Sequence, residues 1–286
     1  MGRVTTRRGA AHLTATADGA LLTQRPETLV VEEPLEIRLN GTPLTVTMRT
    51  PGSDVELAQG FLLTEGVIGG RTDVLTVRYC RSAVAHRGAN PDGLNTYNVL
   101  DVSLTDPGAA RAVIAPRAFV TSSACGVCGT SSIEALQRTT RYELQDFPVF
   151  DPAMITTLPD QLRSQQQVFR STGGIHAAAL VRPDGTVERV REDVGRHNAM
   201  DKVIGSALLA VELPISDRAL LTSSRASFEL VQKAVMAGVG MLIAVSAPSS
   251  LAVQLATATG LTLVGFTSPQ GFNIYSGAQR IAGAKA

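Results

Sequence analysis

The chain has 286 residues, 44% of them hydrophobic, with 18% charged residues and a formal net charge of +1. That supply of apolar side chains builds one large domain or two smaller ones, and the charge balance argues against a nucleic-acid partner, because phosphate backbones demand clustered, uncompensated Lys and Arg. No apolar run approaches a membrane span, no apolar stretch follows the N-terminal arginines as in a secretory signal, and three cysteines make no disulfide framework, so a reducing cytoplasm is the expected compartment.

Taken in order, residues 1–25 are polar and rich in Thr, Ala and Arg, and are expected to be loosely ordered. From Thr28 to Met48 apolar and polar residues alternate, with Asn40-Gly41 between two runs, the signature of a β-hairpin. Ser53-Asp54-Val55-Glu56 reads as a capping box, with Ser53 as N-cap of a helix that Gly66 to Gly70 end. Strands are expected again over 73–104, interrupted by the irregular stretch His86–Gly93, which makes 26–107 a β-rich lobe. Residues 108–145 are read as a linker carrying two cysteines in an Ala/Ser/Gly/Thr-rich loop.

Residues 146–286 alternate differently. Asp151–Val168 is helix-like, and Ala177–Val181 and Val187–Arg191 read as strands joined by Pro183-Asp184-Gly185. Next come a helix over Gly195–Ala210, a strand over Ala219–Thr222, a helix over Ala226–Ala237 and a strand over Met241–Val245. A helix over Ser249–Thr259 ended by Gly260 and a last strand over Leu261–Phe266 complete the series. Short apolar strands between helices imply a buried sheet with helices packed on it, hence an α/β class in two lobes.

The segment Thr121-Ser122-Ser123-Ala124-Cys125-Gly126-Val127-Cys128-Gly129 concentrates reactive chemistry. The thiolate is the nucleophile, and small neighbours leave both sulfurs open to a second macromolecule. A zinc site needs further close ligands, and the other candidates (Cys80, His86, His176, His197) are scattered singly. A zinc deaminase needs His-x-Glu and Pro-Cys-x-x-Cys, but no histidine has Glu two residues on and Ala124 stands in place of the proline. No structural metal is therefore expected. Thiol–disulfide exchange places such a motif at the start of a strand–helix unit, not mid-chain in a Ser/Gly loop. Transfer of sulfane sulfur through a persulfide suits two accessible thiols best: one accepts sulfur, and the second assists release.

Two strand-to-helix turns, Thr222-Ser223-Ser224-Arg225 and Ser246-Ala247-Pro248-Ser249-Ser250, are rich in hydroxyls. In an open sheet they fall at the carboxyl ends of strands, where helix N-termini attract anions, although serine also N-caps without further role. Both turns together, one with Arg225, point to a phosphate-bearing ligand. In Arg191–Lys202, His197 and Asp201 are four apart, so the carboxylate is placed to orient the imidazole. The final turn, from Phe266 to Gly277, offers Phe and Tyr to stack on a base or a pterin.

In order, Cys125-Gly126-Val127-Cys128-Gly129, Thr172-Gly173-Gly174-Ile175-His176, Glu192-Asp193-Val194-Gly195-Arg196-His197-Asn198-Ala199, Thr222-Ser223-Ser224-Arg225 and Asn273-Ile274-Tyr275 resemble the FdhD/NarQ family of sulfur-carrier accessory proteins. The resemblance implies a cytidine-deaminase-like three-layer C-terminal domain without zinc ligands, a smaller β-rich N-terminal domain and a homodimer. It implies that sulfur from a cysteine desulfurase passes as a persulfide to the molybdenum bis(molybdopterin guanine dinucleotide) cofactor before insertion into formate dehydrogenase. Cys125 would then bear the persulfide, with Cys128 as its required partner. Phe266, Thr267, Ser268, Pro269, Gln270 and Gly271, with Asn273 and Tyr275, would contact the cofactor. Ser223, Ser224, Arg225, Ser249 and His197 would lie near its guanine nucleotide arms, for which a free guanine nucleotide is an analogue. A cofactor-holding chaperone without sulfur chemistry is the rival reading.

Overall fold

The computed structural model describes residues 3–17, 19–80, 98–106, 142–144 and 147–284. Cys125 and Cys128, with most of the linker expected over 108–145, lie outside the described residues.

The first thirty residues depart from expectation. β1 (Thr5–Thr16) and β2 (Gly19–Val30) pair along their whole length as an antiparallel ribbon. It was not legible because most side chains on it are exposed and none is fully buried, so no apolar alternation marks the strands.

β3 (Glu33–Leu39) and β4 (Thr42–Arg49) form the expected hairpin, with Asn40 and Gly41 at φ 51° and 80°, the pair of positive values that a type I′ turn needs. α1 (Asp54–Thr64), β5 (Val74–Cys80) and β6 (Val99–Leu104) follow. The four strands make one sheet in the order β4-β3-β6-β5, with β3 and β6 parallel. α1 begins where the capping box predicts, but Ser53 sits at φ 56° and its hydroxyl makes no capping bond. In that left-handed conformation the side chain is turned from the free N–H groups, and Glu56 is engaged elsewhere.

The C-terminal part runs α2 (Pro152–Gln165), α3 (Gln167–Thr172), β7 (His176–Val181), β8 (Val187–Asp193), α4 (Arg196–Leu209), β9 (Ala219–Thr222) and α5 (Phe228–Met236). β10 (Met241–Ala244), α6 (Ser250–Thr259), β11 (Thr262–Ser268) and β12 (Gly271–Ser276) complete it. The sheet order is β12-β11-β10-β9-β7-β8, with β9, β10 and β11 parallel at its centre. The stretch expected as a final turn is thus a hairpin: the chain reverses at Pro269-Gln270 and returns as β12 against β11.

Alternation along the strands assigns the two faces. Ala177, Ala179, Val181, Ala219, Leu221, Met241 and Ile243 point to a core with Ile155, Leu158 and Leu162 of α2. Ala178, Leu180, Leu220, Leu242 and Leu263 point to the other core, under α4, α5 and α6. Each fully buried Leu or Val contributes about 1.5–3 kcal/mol of transfer free energy. This helix–sheet–helix sandwich beside a smaller β-rich lobe is the mixed α/β fold expected. The second core runs on through α1 to Leu35, Ile37, Leu100 and Val102 of the smaller sheet.

Polar groups fasten that joint. α1 crosses α4 glycine against glycine: a Cβ on Gly60 would fall 1.9 Å from the Asp201 carbonyl oxygen, and one on Gly205 1.9 Å from that of Glu56. Arg191 donates to both oxygens of Glu56, at 2.5 and 2.7 Å. Lys202 Nζ lies 2.7 Å from Asp193 Oδ2 and donates to the Thr50 carbonyl at 2.9 Å, while Asn198 Nδ2 donates to the Met48 carbonyl at 2.7 Å. Burial pushes the Asp193 carboxyl up, and Lys202, the Gly195 N–H and Asn198 pull it back. Lys233 of α5 binds both oxygens of Asp201 and the Thr64 hydroxyl. Much of the polar Arg191–Lys202 stretch therefore joins the two lobes.

Candidate functional site

The parallel strands β9, β10 and β11 end at one edge of the sheet, and antiparallel β7 begins there with His176. Backbone bonds lace the turns beyond that edge. Ser223 N donates to the Ala177 carbonyl at 2.9 Å, Val245 N to Thr222 at 3.1 Å, Ser249 N to Ala226 at 3.0 Å and Phe266 N to Ser246 at 3.3 Å. Both hydroxyl-rich turns and the start of the last hairpin thus share one rim.

Three helices begin at or beside this rim: α4 after Gly195, α5 after Ser227 and α6 after Ser249. His197, in the first turn of α4, has Nε2 3.5 Å from Ser227 Oγ and 3.7 Å from Glu229 Oε2. Each helix N-terminus leaves backbone N–H groups unpaired and carries the positive end of its dipole. Arg225 is exposed on the same rim, and the Nε of half-buried Arg196 is buried without a hydrogen-bond partner among the described residues. Charge and donors together favour an anion with several oxygens.

The titratable groups respond to this setting. His176 is held below the ordinary imidazole range, first by burial and then by the positive Arg196 and by His197. Glu229 is pulled down to about 2, chiefly by the His197 imidazole. His197 therefore takes Glu229 as its carboxylate neighbour. Asp201 does not orient it, because Lys233 and Thr64 hold that buried carboxylate one turn deeper.

The expected contact residues divide by what their polar atoms already do. Thr267 is buried and donates to the Ala244 carbonyl at 2.9 Å, and buried Ser224 shares a 2.9 Å bond with Thr222. Ser223 Oγ accepts from Ala177 N, Ser249 Oγ caps α6 through Ala252 N, and Ser268 Oγ donates to the Gly271 carbonyl. These hydroxyls shape the rim. Arg225, Ser249 and Phe266 are exposed on it; Phe266 is 52% exposed at φ 52°, an uncommon conformation for an aromatic residue. Pro269 and Gln270 form the exposed tip of the hairpin beyond the edge, and Asn273 and half-buried Tyr275 follow on β12. Sequence reasoning missed Ser227 and Glu229, for which Ser-x-Glu at a helix start was the available signal. It also gave Arg196 no role of its own, although the residue opens α4 beside His197.

Fold and rim together define a mixed α/β protein whose parallel strands end at a rim of helix N-termini, joined to a smaller β-rich lobe. The FdhD/NarQ family model matches residues 30–282, and the chain belongs to that family. It is 56% identical to the sulfur carrier protein FdhD of Mycolicibacterium paratuberculosis, across 98% of this chain and 99% of the relative. Identity to the protein of the same name from Streptomyces coelicolor is 54%, across 99% and 97%. A solved structure described as a formate dehydrogenase accessory protein from Desulfotalea psychrophila superposes with a TM-score of 0.70 at 24% identity, covering 96% of this chain and 99% of that one. This last likeness concerns the fold.

Proposed function

We propose that this protein is a cytoplasmic sulfur carrier in the maturation of formate dehydrogenase. The observation that carries the reading is the kinship, at more than half of all positions across 97–99% of either chain, with relatives named for sulfur carriage. In this reading the Cys125 thiolate attacks the outer sulfur of a cysteine desulfurase persulfide. The S–S bond to the desulfurase breaks as the new one forms, and the desulfurase cysteine leaves as a thiolate. Cys125 then bears the persulfide, and Cys128 is its required partner.

The acceptor is the molybdenum bis(molybdopterin guanine dinucleotide) cofactor, treated as cargo. Its phosphates suit a rim where helix N-termini, Arg225 and Arg196 offer positive charge and N–H donors, and exposed Phe266 offers an aromatic face to a ring. The protein's own residues bind and orient the cargo, with Glu229 and Ser227 beside the His197 ring.

Intact-protein mass, measured after incubation with a cysteine desulfurase and cysteine, tests the reading. Wild type gains the mass of one sulfur atom, about 32 Da, and Cys125→Ala does not. No gain on wild type beside an active desulfurase would leave the protein a holder of cofactor without sulfur chemistry.

A further inference from the structure

The turn from β8 into α4 carries two residues of the rim, Arg196 and His197, and the smaller lobe grips that turn on both sides of them. Ahead of the pair, Asp193 Oδ2 accepts from Thr50 N at 3.2 Å, and Val194 N donates to Thr50 Oγ1 at 3.2 Å. Behind it, Asn198 Nδ2 donates to the Met48 carbonyl at 2.7 Å, and Asn198 Oδ1 accepts from the Thr47 hydroxyl at 3.2 Å. Asp193 and Asn198 also close on each other, because Asp193 Oδ1 accepts from Gly195 N at 2.8 Å and from Asn198 Nδ2 at 3.1 Å. Glycine suits that closure: a Cβ on Gly195 would press on Asn198 Nδ2 at 3.1 Å. Across the ladder, Asp193 pairs directly with His176 of β7, so their side chains share a face.

The gripping segment, residues 47–50, is held firmly from its own side. Arg49 within it is wholly buried, binds both oxygens of Asp54 at the start of α1, at 3.0 and 3.1 Å, and reaches Glu33 at 3.3 Å. Such a two-pronged ion pair fixes direction as well as distance. Further along α4 the lobes are joined without this segment, by the glycine crossing at Gly205 and by Asp201 with Lys233 and Thr64. Apolar packing would hold the turn as tightly, but hydrogen bonds set its angle. Between the gripped residues, Arg196 Nε has no hydrogen-bond partner among the described residues, and His197 Nε2 faces Ser227 and Glu229. We propose that Thr47 and Asn198 are positioning residues for the rim: through them the smaller lobe aims Arg196 and His197 at the bound anion. The inference rests on the reading of the rim as the seat of a phosphate-bearing cargo. It makes cargo affinity depend on the joint between the lobes, because a binding group displaced by a fraction of an ångström loses much of its effect.

Calorimetric titration of the full chain with guanosine diphosphate tests the proposal, with urea unfolding of each variant alongside. Thr47→Val removes only the hydroxyl that holds Asn198 and should weaken binding several-fold, while Thr47→Ser should bind like wild type. Asn198→Ala, which frees the turn from Met48, Thr47 and Asp193 together, should weaken binding by about tenfold or more. Thr64→Val strips a hydroxyl from the buried Asp201–Lys233 pair of the same joint, and should lower stability while leaving affinity unchanged. Without ligand, the His197 ring resonance should move in Thr47→Val, whereas that of His12, on the exposed ribbon, should not. Two failures are distinct. A wild type that binds no nucleotide overturns the reading of the rim and the proposal with it. A wild type that binds, with Thr47→Val and Asn198→Ala equal to it or with Thr64→Val equally impaired, overturns the positioning role alone.

Discussion

Lys233 on α5 holds both carboxylate oxygens of Asp201 on α4 at 2.9 Å, with the Thr64 hydroxyl of α1 bound to the same carboxylate. Three helices from the two lobes thus meet at one buried charge pair. Burial, the larger influence on each partner, pushes the Asp201 carboxyl up and works against the Lys233 ammonium. Asp201 and Glu65 nevertheless hold Lys233 protonated.

Removing one partner should therefore cost more than removing both. Lys233→Met leaves a buried carboxylate without its counter-ion and should destabilise by about 3–5 kcal/mol, whereas adding Asp201→Leu should recover most of that loss. Urea unfolding at pH 7 measures both. At pH 5 the single variant's deficit should shrink, because its uncompensated carboxyl is then protonated more easily.

The glycine crossing predicts a strong size limit. Gly60→Ala and Gly205→Ala each drive a methyl group into the opposite helix's backbone, with 1.9 Å available. Each should cost at least about 3 kcal/mol, at the upper end of overpacking. Gly174→Ala, whose Cβ meets nothing nearer than the Thr172 carbonyl at 3.9 Å, is the comparison and should stay within about 0.5 kcal/mol. Thermal unfolding of the three variants decides.

The depressed His176 links stability to pH. A histidine whose folded pKa lies below its unfolded value of 6.5 contributes stability that is complete above 6.5 and lost as pH falls through the folded value. Between pH 7 and pH 5, wild type should lose more stability than His176→Asn. Denaturant midpoints across that range provide the test, and parallel slopes would count against it.

Anion binding at the rim should depend on charges of both signs. Arg225→Ala should weaken binding of pyrophosphate or a guanine nucleotide by about tenfold, the worth of one charge-assisted hydrogen bond. Glu229→Gln should strengthen it a few-fold by removing a negative charge beside His197. Calorimetric titration at fixed ionic strength gives both affinities. Nuclear magnetic resonance should show the His176 and His197 rings shifting as the anion binds.

Local chemistry was legible in the sequence and partner choice was not. Asn40-Gly41 specifies its turn through its own backbone preferences, and the strand Ala219–Thr222 is flanked by helical patterns that fix its ends. Ser53 and Glu56 have the spacing of a capping box, yet the backbone at Ser53 is left-handed and Arg191 of β8 takes the carboxylate. The four-residue spacing of His197 and Asp201 shows that they share a helix face. It says nothing of Lys233, 32 positions further on, which binds the carboxylate instead. β12 escaped because its residues are part-exposed on both faces, leaving no period to read. The rim itself was anticipated at Ser223–Arg225 and Ser249, since a strand followed by hydroxyls and a helix places residues on that edge whatever the tertiary details.

Because α1 meets α4 backbone to backbone, and one core runs beneath both sheets, the smaller lobe has no separate melting transition available to it. The first helix is covered only when residues 145 positions later in the chain have arrived at Gly205. Folding must therefore close long loops before those contacts stabilise anything, which predicts slow, cooperative refolding with a single transition. Chain emerging from the ribosome would already carry all four strands of the smaller sheet, which end at Leu104, but would leave the outer face of α1 uncovered until α4 has been synthesised.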